Sequence, residues 1–340
     1  MPFMNLEYFK SSEPLLLESG AILSDFTIAY STYGQLNAER SNVIWIVHAL
    51  TGDSQVATWW KGIVGENGLF NFSKHFIICA NLLGSSYGST NPLSTNPTTG
   101  TSYFYDFPSL TTRDLAQSLD LLRKHLKLEH IHTLIGGSLG GQVALEWAYL
   151  LGPKLANAIV IATTAKTSPW VIGFNEAQRM AIAADSSWGQ CHPDAGKKGL
   201  EAARAIAMLS YRNPLDLNEK QKESTEKLDG FLASSYLNYQ GAKLTKRFQA
   251  FSYWTLTKSM DSHDIGRSRG GLEKALNGIY AKVFAIGVNS DLLFLTEESK
   301  FISRTVPLGQ YGEIISTTGH DAFLIEFQQL SRLIQSFYKS

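Results

Sequence analysis

The chain has 340 residues, of which 44% are hydrophobic, so it can bury a substantial core in one large domain or in a domain that carries an insertion. Lysine plus arginine and aspartate plus glutamate both number 30, so no net charge favours nucleic acid, an anionic membrane surface or a polyacidic partner. The sequence has no secretory signal and no apolar run that could span a bilayer, which predicts a soluble, cytoplasmic protein.

The first predicted elements are two strands, at residues 15–18 and 21–33, which we expect to run antiparallel at the start of a sheet. Further short apolar, β-branched runs, each bounded by turn residues, are typical of buried strands. These runs are residues 42–48, 76–83, 131–135, 156–163, 281–288 and 313–316. Helical patterns lie between or after them, most clearly at residues 112–128, 139–150 and 322–338. This alternation predicts an α/β protein with a mostly parallel sheet flanked by helices.

Strand signals stop between residues 166 and 271, and helical patterns replace them. The clearest helical patterns are residues 174–184, 197–209 and 244–260. This change predicts a helical lid that is inserted into the sheet domain. The chain would then divide into a core, residues 1–165 and 272–340, and a lid, residues 166–271.

The segment at residues 131–149 predicts a strand, a glycine-rich turn and a helix, with Gly136, Ser138 and Gly140 forming a GxSxG motif at the turn. In the α/β-hydrolase fold this arrangement holds a nucleophilic serine on a strained turn, where larger neighbours would clash. The pattern fits neither the GxGxxG of a dinucleotide site nor the GK[ST] of a phosphate-binding loop. A tight turn in which Ser138 only caps the helix is the alternative. We predict Ser138 as the nucleophile.

The general base and its acidic partner must follow the nucleophile, because the triad of this fold appears in the order Ser, Asp or Glu, His. His320 directly follows a predicted strand, whereas His192 and His263 fall in the lid. Asp291 lies on the loop after another predicted strand. A carboxylate there would fix the histidine tautomer that accepts the serine proton. We predict the triad Ser138, Asp291 and His320.

Acyl transfer places negative charge on a carbonyl oxygen, which backbone amides stabilise. One amide should be that of Leu139, directly after the nucleophile. The other should come from the loop HALTG at residues 48–52, where Leu50 is the expected donor. A plain loop shaped by Gly52 is the alternative at this position.

Several motifs of the chain resemble homoserine O-acetyltransferases, in the order and spacing of that family. They are HALTGDS, NLLGSSYGSTNP, DFPSLTTRD, GGSLGG, FNEAQR, SYLNYQG, SDLLF and GHDAFL. The resemblance covers nearly the whole chain and includes lid segments outside the general hydrolase machinery. The chain departs from the family's usual pattern at Leu139, Leu295, Gln249 and Phe251.

The resemblance implies acetyl transfer from acetyl-coenzyme A, as co-substrate, to the hydroxyl of L-homoserine in methionine biosynthesis. Ser138 would carry the acetyl group in a ping-pong sequence. Arg179 of FNEAQR and Asp321 of GHDAF match the family's substrate-binding residues, and a guanidinium and a carboxylate suit the two charges of an amino acid. No metal or bound cofactor is expected. The family also implies a homodimer through the lid.

Other functions remain open on the residues alone. A serine esterase would use the same triad and oxyanion amides with water as the acceptor. Succinyl-coenzyme A as donor, or L-serine as acceptor, would need only a small change of pocket. A binding module without activity is a further alternative, although such a module would normally have lost a triad member.

Overall fold

The computed structural model describes residues 6–340 and has an eight-stranded central sheet with a separate two-stranded ribbon. The strands are β1 (Leu6–Lys10), β2 (Leu15–Leu16), β3 (Ile22–Leu23), β4 (Thr27–Tyr33), β5 (Val43–Val47), β6 (Phe76–Ala80), β7 (Ile131–Gly137), β8 (Leu155–Ile161), β9 (Lys282–Val288) and β10 (Gly309–Ile314). The helices are α1 (Val56–Trp59), α2 (Thr112–His125), α3 (Leu139–Leu151), α4 (Pro169–Ala183), α5 (Lys197–Tyr211), α6 (Pro214–Lys220), α7 (Leu232–Thr245), α8 (Ala250–Asp261), α9 (Leu272–Asn277), α10 (Thr296–Thr305) and α11 (Phe327–Lys339).

The sheet has the order β1-β4-β6-β5-β7-β8-β9-β10. The strands from β6 to β10 in this order pair in parallel, as predicted, because helical connections return the chain to the same edge. Every residue of β5 is buried, which explains why this strand is a continuous apolar run rather than an alternating one. Because these six strands are parallel, their carboxyl ends lie at one edge of the sheet, where the loops after β5, β7 and β9 meet.

Helices cover both faces of the sheet and complete the core. Apolar residues of α2, α3 and α10 pack on one face, and those of α1 and α11 pack on the other. The rings of Trp45 in β5 and Trp147 in α3 meet edge to face, with centroids 4.8 Å apart. This contact helps to hold α3 against the centre of the sheet.

The N-terminal region differs from the prediction. The expected strand at residues 21–33 is divided, because Asp25 has a φ of 51° and interrupts the extended backbone. The short β2 and β3 pair only with each other, while β4 joins the main sheet antiparallel to β6. The outermost strand β1, which was not predicted, pairs antiparallel with β4.

Helices α4 to α8 lie in the segment at residues 166–271 that was predicted as the lid, and α9 follows it in the part assigned to the core. The single helix predicted at residues 244–260 is wrong, because α7 ends and α8 begins within this stretch. At the break, the backbone N–H of Gln249 donates to the Ser86 hydroxyl of a core loop, 3.2 Å away. That tertiary contact satisfies an amide at the start of α8. The division of the chain into core and lid stays an interpretation. Within residues 6–340, none of the helices is both long and apolar enough to cross a membrane.

Candidate active site

Ser138 lies at the sharp turn between β7 and α3. Its φ of 56° and ψ of −126° are rare for residues other than glycine. A Cβ on Gly140 would lie 2.2 Å from the Val47 carbonyl oxygen, and one on Gly136 would lie 2.2 Å from the Gly140 carbonyl oxygen. Both glycines of the motif are therefore required by close backbone contacts, and the turn has the geometry of a nucleophile elbow.

The end of β8 and the loop after it hold the strained turn in place. The Ser138 N–H donates to the Ile161 carbonyl at 2.9 Å, and the Ser138 carbonyl accepts a hydrogen bond from the Thr163 hydroxyl, also at 2.9 Å. Only 5% of Ser138 is exposed, and it lines a cavity from which a reactant could reach its hydroxyl. Such strain persists only where surrounding contacts fix the backbone, which is common at reactive residues.

His320 and Asp291 form a buried pair beside the same cavity. The Nδ1 of His320 lies 2.7 Å from Oδ2 of Asp291. The other carboxylate oxygen, Oδ1, accepts the backbone N–H groups of Leu293 at 2.7 Å and Phe294 at 3.0 Å. Because both carboxylate oxygens are engaged, the aspartate cannot rotate freely. It holds the proton on Nδ1 and leaves Nε2 free to accept one.

The environment of His320 makes it a stronger base than a free histidine. Burial among the rings of Tyr211, Phe294 and Phe323 would lower its pKa. The negative charge and hydrogen bond of Asp291, with a further contribution from Asp321, more than offset burial and raise the pKa of His320 above 6.5. The imidazole therefore gains proton affinity without losing its fixed orientation.

The loop after β5 is held by a buried histidine that sequence reasoning did not single out. The Nε2 of His48 accepts the Leu82 N–H at 3.0 Å, so its Nδ1 carries the proton and donates to the Ala49 carbonyl at 2.8 Å. Burial lowers the pKa of His48, which keeps the ring neutral in this arrangement. Leu50, two residues after His48, lines the cavity.

The two predicted oxyanion amides have no competing acceptors. The Leu50 N–H finds none among residues 6–340. Leu139 is the first residue of α3, so its N–H has no acceptor within the helix. Leu50 lines the cavity, whereas Leu139 is buried directly behind Ser138, where the positive end of the α3 dipole favours negative charge. Their role as the oxyanion hole stays a prediction.

The cavity has a volume of about 280 Å³ and combines Ser138 and His320 with four charged side chains. It is lined by Ala49, Leu50, Thr51, Gly52, Asp53, Thr58, Trp59, Ser138, Arg204, Tyr211, Arg247, His320, Asp321, Phe323 and Leu324. Residues from the core and the lid both contribute to this lining. The cavity can therefore hold a small polar molecule next to Ser138.

Arg204 and Tyr211 bring the lid helix α5 into the cavity. The Arg204 guanidinium lies 5.4 Å from the centroid of the Tyr211 ring, which lies 5.5 Å from that of His320. Sequence reasoning missed both residues. Their spacing of seven puts them on one face of a predicted helix, but nothing in the sequence indicates which face meets the loop that carries His320.

Arg179, which was predicted to bind substrate, is not among the residues that line this cavity. Only 3% of it is exposed, and its Nη2 lies 2.6 Å from both Glu176 and Asp261. These two carboxylates pair with one side of the guanidinium, while its Nη1 is buried without a hydrogen-bond partner among residues 6–340. The other predicted substrate-binding residue, Asp321, does line the cavity, at the position next to His320.

The two lid histidines do not join the site. His192 is exposed in a turn. His263 is buried, with Nδ1 2.9 Å from the Thr112 hydroxyl and Nε2 3.1 Å from the Thr164 carbonyl. Burial lowers the pKa of His263 to about 3, so this ring is neutral and ties the lid to the core.

The departures in the lid also lie outside the cavity lining. Phe251 is buried in an aromatic cluster, with ring centroids 5.0 Å from Tyr105 and 4.9 Å from Trp188. The backbone of Gln249 starts α8 against Ser86. The departures at Gln249 and Phe251 therefore change how the lid packs rather than the groups that surround Ser138.

Known proteins resemble this chain along its length. The family model described as alpha/beta hydrolase fold matches residues 42–327. A protein of Cyclobacterium marinum named homoserine O-acetyltransferase is 60% identical over 335 residues, which cover 98% of this chain and 95% of the relative. Sequence similarity of this extent rules out a match that is confined to the catalytic motifs.

Solved structures resemble the architecture just described. The homoserine O-acetyltransferase from Bacillus anthracis superposes with a TM-score of 0.94 at 25% identity, over 100% of this chain and 99% of that one. The structure of esterase E22 superposes with a TM-score of 0.91 at 21% identity, over 98% of this chain and 100% of that one. The likeness to the esterase shows the fold alone.

Proposed function

This chain belongs to the homoserine O-acetyltransferase family of the α/β-hydrolase fold, and from that membership we propose that it transfers an acetyl group from acetyl-coenzyme A to L-homoserine through Ser138. The observation that carries the mechanism is the cavity where Ser138 and the His320–Asp291 pair meet groups of both charges. Nucleophile, base and binding groups thus share a space of small-molecule size.

In the first half-reaction, His320 accepts the proton of the Ser138 hydroxyl as its oxygen attacks the thioester carbonyl. The amides of Leu50 and Leu139 stabilise the oxyanion that forms. The carbon–sulfur bond then breaks, and the leaving thiolate takes the proton from His320. The acetyl group remains on Ser138, and neutral His320 is ready for a second proton.

In the second half-reaction, the side-chain hydroxyl of homoserine attacks the acetyl-serine. His320 accepts the hydroxyl proton while the new carbon–oxygen bond forms, and it returns that proton to Ser138 as the serine oxygen leaves. Water would react in the same way, so transfer needs an acceptor that is held next to the acyl group. The lid residues in the cavity support such an arrangement.

Arg204 and Asp321 are the groups that we propose for the two ends of homoserine. A guanidinium can bind the substrate carboxylate in a fork, and a carboxylate can accept the ammonium. Both line the cavity beside His320, whereas Arg179 does not line it and pairs with two carboxylates. Arg204 is therefore our proposal for the substrate carboxylate, and Arg179 stays the alternative that the family resemblance implies.

Replacing Arg204 by lysine should raise the KM for homoserine about a hundredfold, because lysine cannot form the bidentate contact. The enzyme's acetylation by acetyl-coenzyme A alone should stay near its normal rate. Initial rates over a range of homoserine concentrations, with the first turnover measured separately, would test both expectations. The matched control is Arg179→Lys, and a raised KM in this control with a normal KM in Arg204→Lys would restore the first prediction.

Arg247 supports binding of the anionic donor, acetyl-coenzyme A, at the side of the cavity where this arginine lies. It is exposed and lines the cavity, and it donates hydrogen bonds to the Thr51 carbonyl at 2.7 Å and to the Tyr87 hydroxyl. Among the described residues, no carboxylate lies within 4.0 Å of its guanidinium. An unneutralised cation at the cavity suits the phosphate groups of acetyl-coenzyme A.

The reaction can be tested by following thiol release from acetyl-coenzyme A with and without L-homoserine. We expect fast release only with homoserine, and parallel lines when both substrates are varied. Release without homoserine would indicate an esterase-like hydrolase, and intersecting lines would contradict the ping-pong sequence. Parallel assays with succinyl-coenzyme A and L-serine decide between the alternative donors and acceptors.

The homodimer through the lid stays a prediction, as does the cytoplasmic location. Helix α7 supports the first, because only Gly241 and Leu244 of this helix are buried. Exposed apolar side chains nearby on the lid include Phe231, Leu232 and Tyr239. A second copy packed on α7 would cover them. Light scattering on the purified protein would measure the oligomeric state.

A further inference from the structure

Residues 211–213, at the end of lid helix α5, lie against the two loops that carry Asp291 and His320. The backbone N–H of Asn213 donates to the Thr318 carbonyl at 3.2 Å. Its side-chain amide donates to the Ser290 carbonyl, also at 3.2 Å. One lid residue thus bonds to the residue before the catalytic aspartate and to the loop just before the catalytic histidine.

Gly319 makes this close approach possible. Its φ is +90°, and a Cβ there would lie 2.7 Å from the Asn213 nitrogen and 2.8 Å from the Tyr211 oxygen. Its N–H also donates to the Ser290 hydroxyl at 3.0 Å, which joins the two catalytic loops to each other. A larger residue at position 319 would push the lid segment away. The contact between residues 211–213 of the lid and the loop before His320 therefore involves backbone atoms of both segments.

Between Tyr211 and Asn213, Arg212 reaches the carboxylate beside the general base. Its Nη2 lies 3.4 Å from Oδ2 of Asp321. The two side chains are 18% and 19% exposed, so water screens this ion pair less than one on the open surface. No step of the proposed mechanism uses Arg212.

We propose that Arg212 is a positioning residue for acyl transfer: it fixes the carboxylate of Asp321 next to His320. Arg212 is itself held in place, because its neighbours Tyr211 and Asn213 both contact the loops that carry Asp291 and His320. This inference rests on the proposed roles of Asp321 and His320. It links the lid helix that carries Arg204 to the orientation of the catalytic loops. A change in lid packing would then alter both the contact of Arg204 with homoserine and the orientation of Asp321 beside His320.

The charges around His320 give this role a distinctive pH dependence. The groups that face His320 and Asp321 are Asp291 from the β9 loop and, from the lid, Arg204, Arg212 and the phenol of Tyr211. Asp53 and Arg247 line the same cavity. Burial raises the pKa of Tyr211, an effect that Arg204 partly offsets, so the phenol stays neutral. The nearby charges that can be changed without touching Asp291 or Arg204 are therefore Arg212 and Asp321.

Activity should fall as the pH drops through the pKa of His320, because the base must be unprotonated. Removing the Arg212 cation leaves the negative Asp321 less neutralised and should raise this pKa. Removing the Asp321 charge should lower it. The acid limb of kcat/KM for homoserine should therefore move to higher pH in Arg212→Gln and to lower pH in Asp321→Asn, each by about half a pH unit.

The experiment measures kcat/KM for homoserine against pH in both variants, the double variant and Arg212→Lys. Arg212→Gln should also raise the KM about tenfold, because Asp321 loses its fixed orientation. In Arg212→Lys the acid limb should stay at the pH of the unchanged enzyme, because the positive charge is kept. In the double variant the acid limb should lie between those of Arg212→Gln and Asp321→Asn. The control is Lys197→Gln, which removes an exposed lid cation that pairs with Asp194.

An Arg212→Gln profile that superimposes on that of the unchanged enzyme would overturn the inference. A loss of activity in both single variants with no movement of the limb would also overturn it, since that result indicates only a structural contact. If Arg212→Gln does not fold, the limb of Asp321→Asn and its comparison with Arg212→Lys remain decisive. Full activity of a Ser138→Ala variant would instead disprove the proposed function.

Discussion

Replacing Ser138 by alanine is expected to lower kcat for acetyl transfer about 10⁶-fold, because the acetyl group then has no oxygen to which it can be transferred. The fold should persist. Alanine has the same backbone penalty at a φ of 56° as serine, and the hydrogen bonds that hold this turn use backbone atoms of residue 138. The loss should therefore lie in chemistry rather than in folding.

Mass spectrometry of the acetylated enzyme and the activity of the Ser138→Ala variant check this expectation. Mixing the enzyme with acetyl-coenzyme A alone should add one acetyl group to the peptide that contains Ser138, as mass spectrometry would detect. The matched control is Ser118→Ala, which removes a buried hydroxyl that donates to the Leu115 carbonyl within α2. Activity of Ser138→Ala within about tenfold of the unchanged enzyme would rule out the acyl-serine intermediate.

Replacing Asp291 by asparagine is expected to lower kcat about 10⁴-fold through the tautomer of His320. The N–H groups of Leu293 and Phe294 donate to Oδ1, so the amide oxygen of the variant must take this position. Its NH₂ group then faces Nδ1 of His320 and donates to it. The histidine proton is forced onto Nε2, which can no longer accept the proton of Ser138.

Steady-state rates with acetyl-coenzyme A and homoserine would measure this loss, and thermal melting would check that the variant folds. The control is Asp264→Asn, which alters a loop aspartate that accepts the Gly266 N–H and pairs with Lys166 outside the cavity. A normal rate in Asp291→Asn would mean that another group orients His320. A low rate in both variants would point to a general effect of the substitution.

The sheet could be predicted from the chain because its strands have a strong local signal. Strands buried on both faces are continuous apolar runs, and glycine or proline turns separate them from helical periodicity. Strands β5 to β9 agree with the prediction within a few residues, and the α/β-hydrolase fold is confirmed. The short β2 and β3 lie within the strands predicted at residues 15–18 and 21–33, but their pairing apart from the main sheet was not predicted, and neither was the edge strand β1.

The lid was predicted less well for a related reason. Helix α7 buries only Gly241 and Leu244, so it has no apolar stripe, and the start of α8 is held by a contact of Gln249 with Ser86 in the core. Neither feature leaves a local pattern. The stop between α7 and α8 has no glycine or proline to announce it.

The sequence by itself predicted the proposed triad, because those positions depend on local geometry. Ser138 needs small neighbours at a strained turn, and Asp291 and His320 follow strands in a set chain order. Only the tertiary structure decided which lid residues reach them. Arg179 and Arg204 are both lid arginines, and packing of α4 and α5 pairs one with carboxylates and turns the other into the cavity. Helix packing sums many weak contacts between distant residues, which no local pattern encodes.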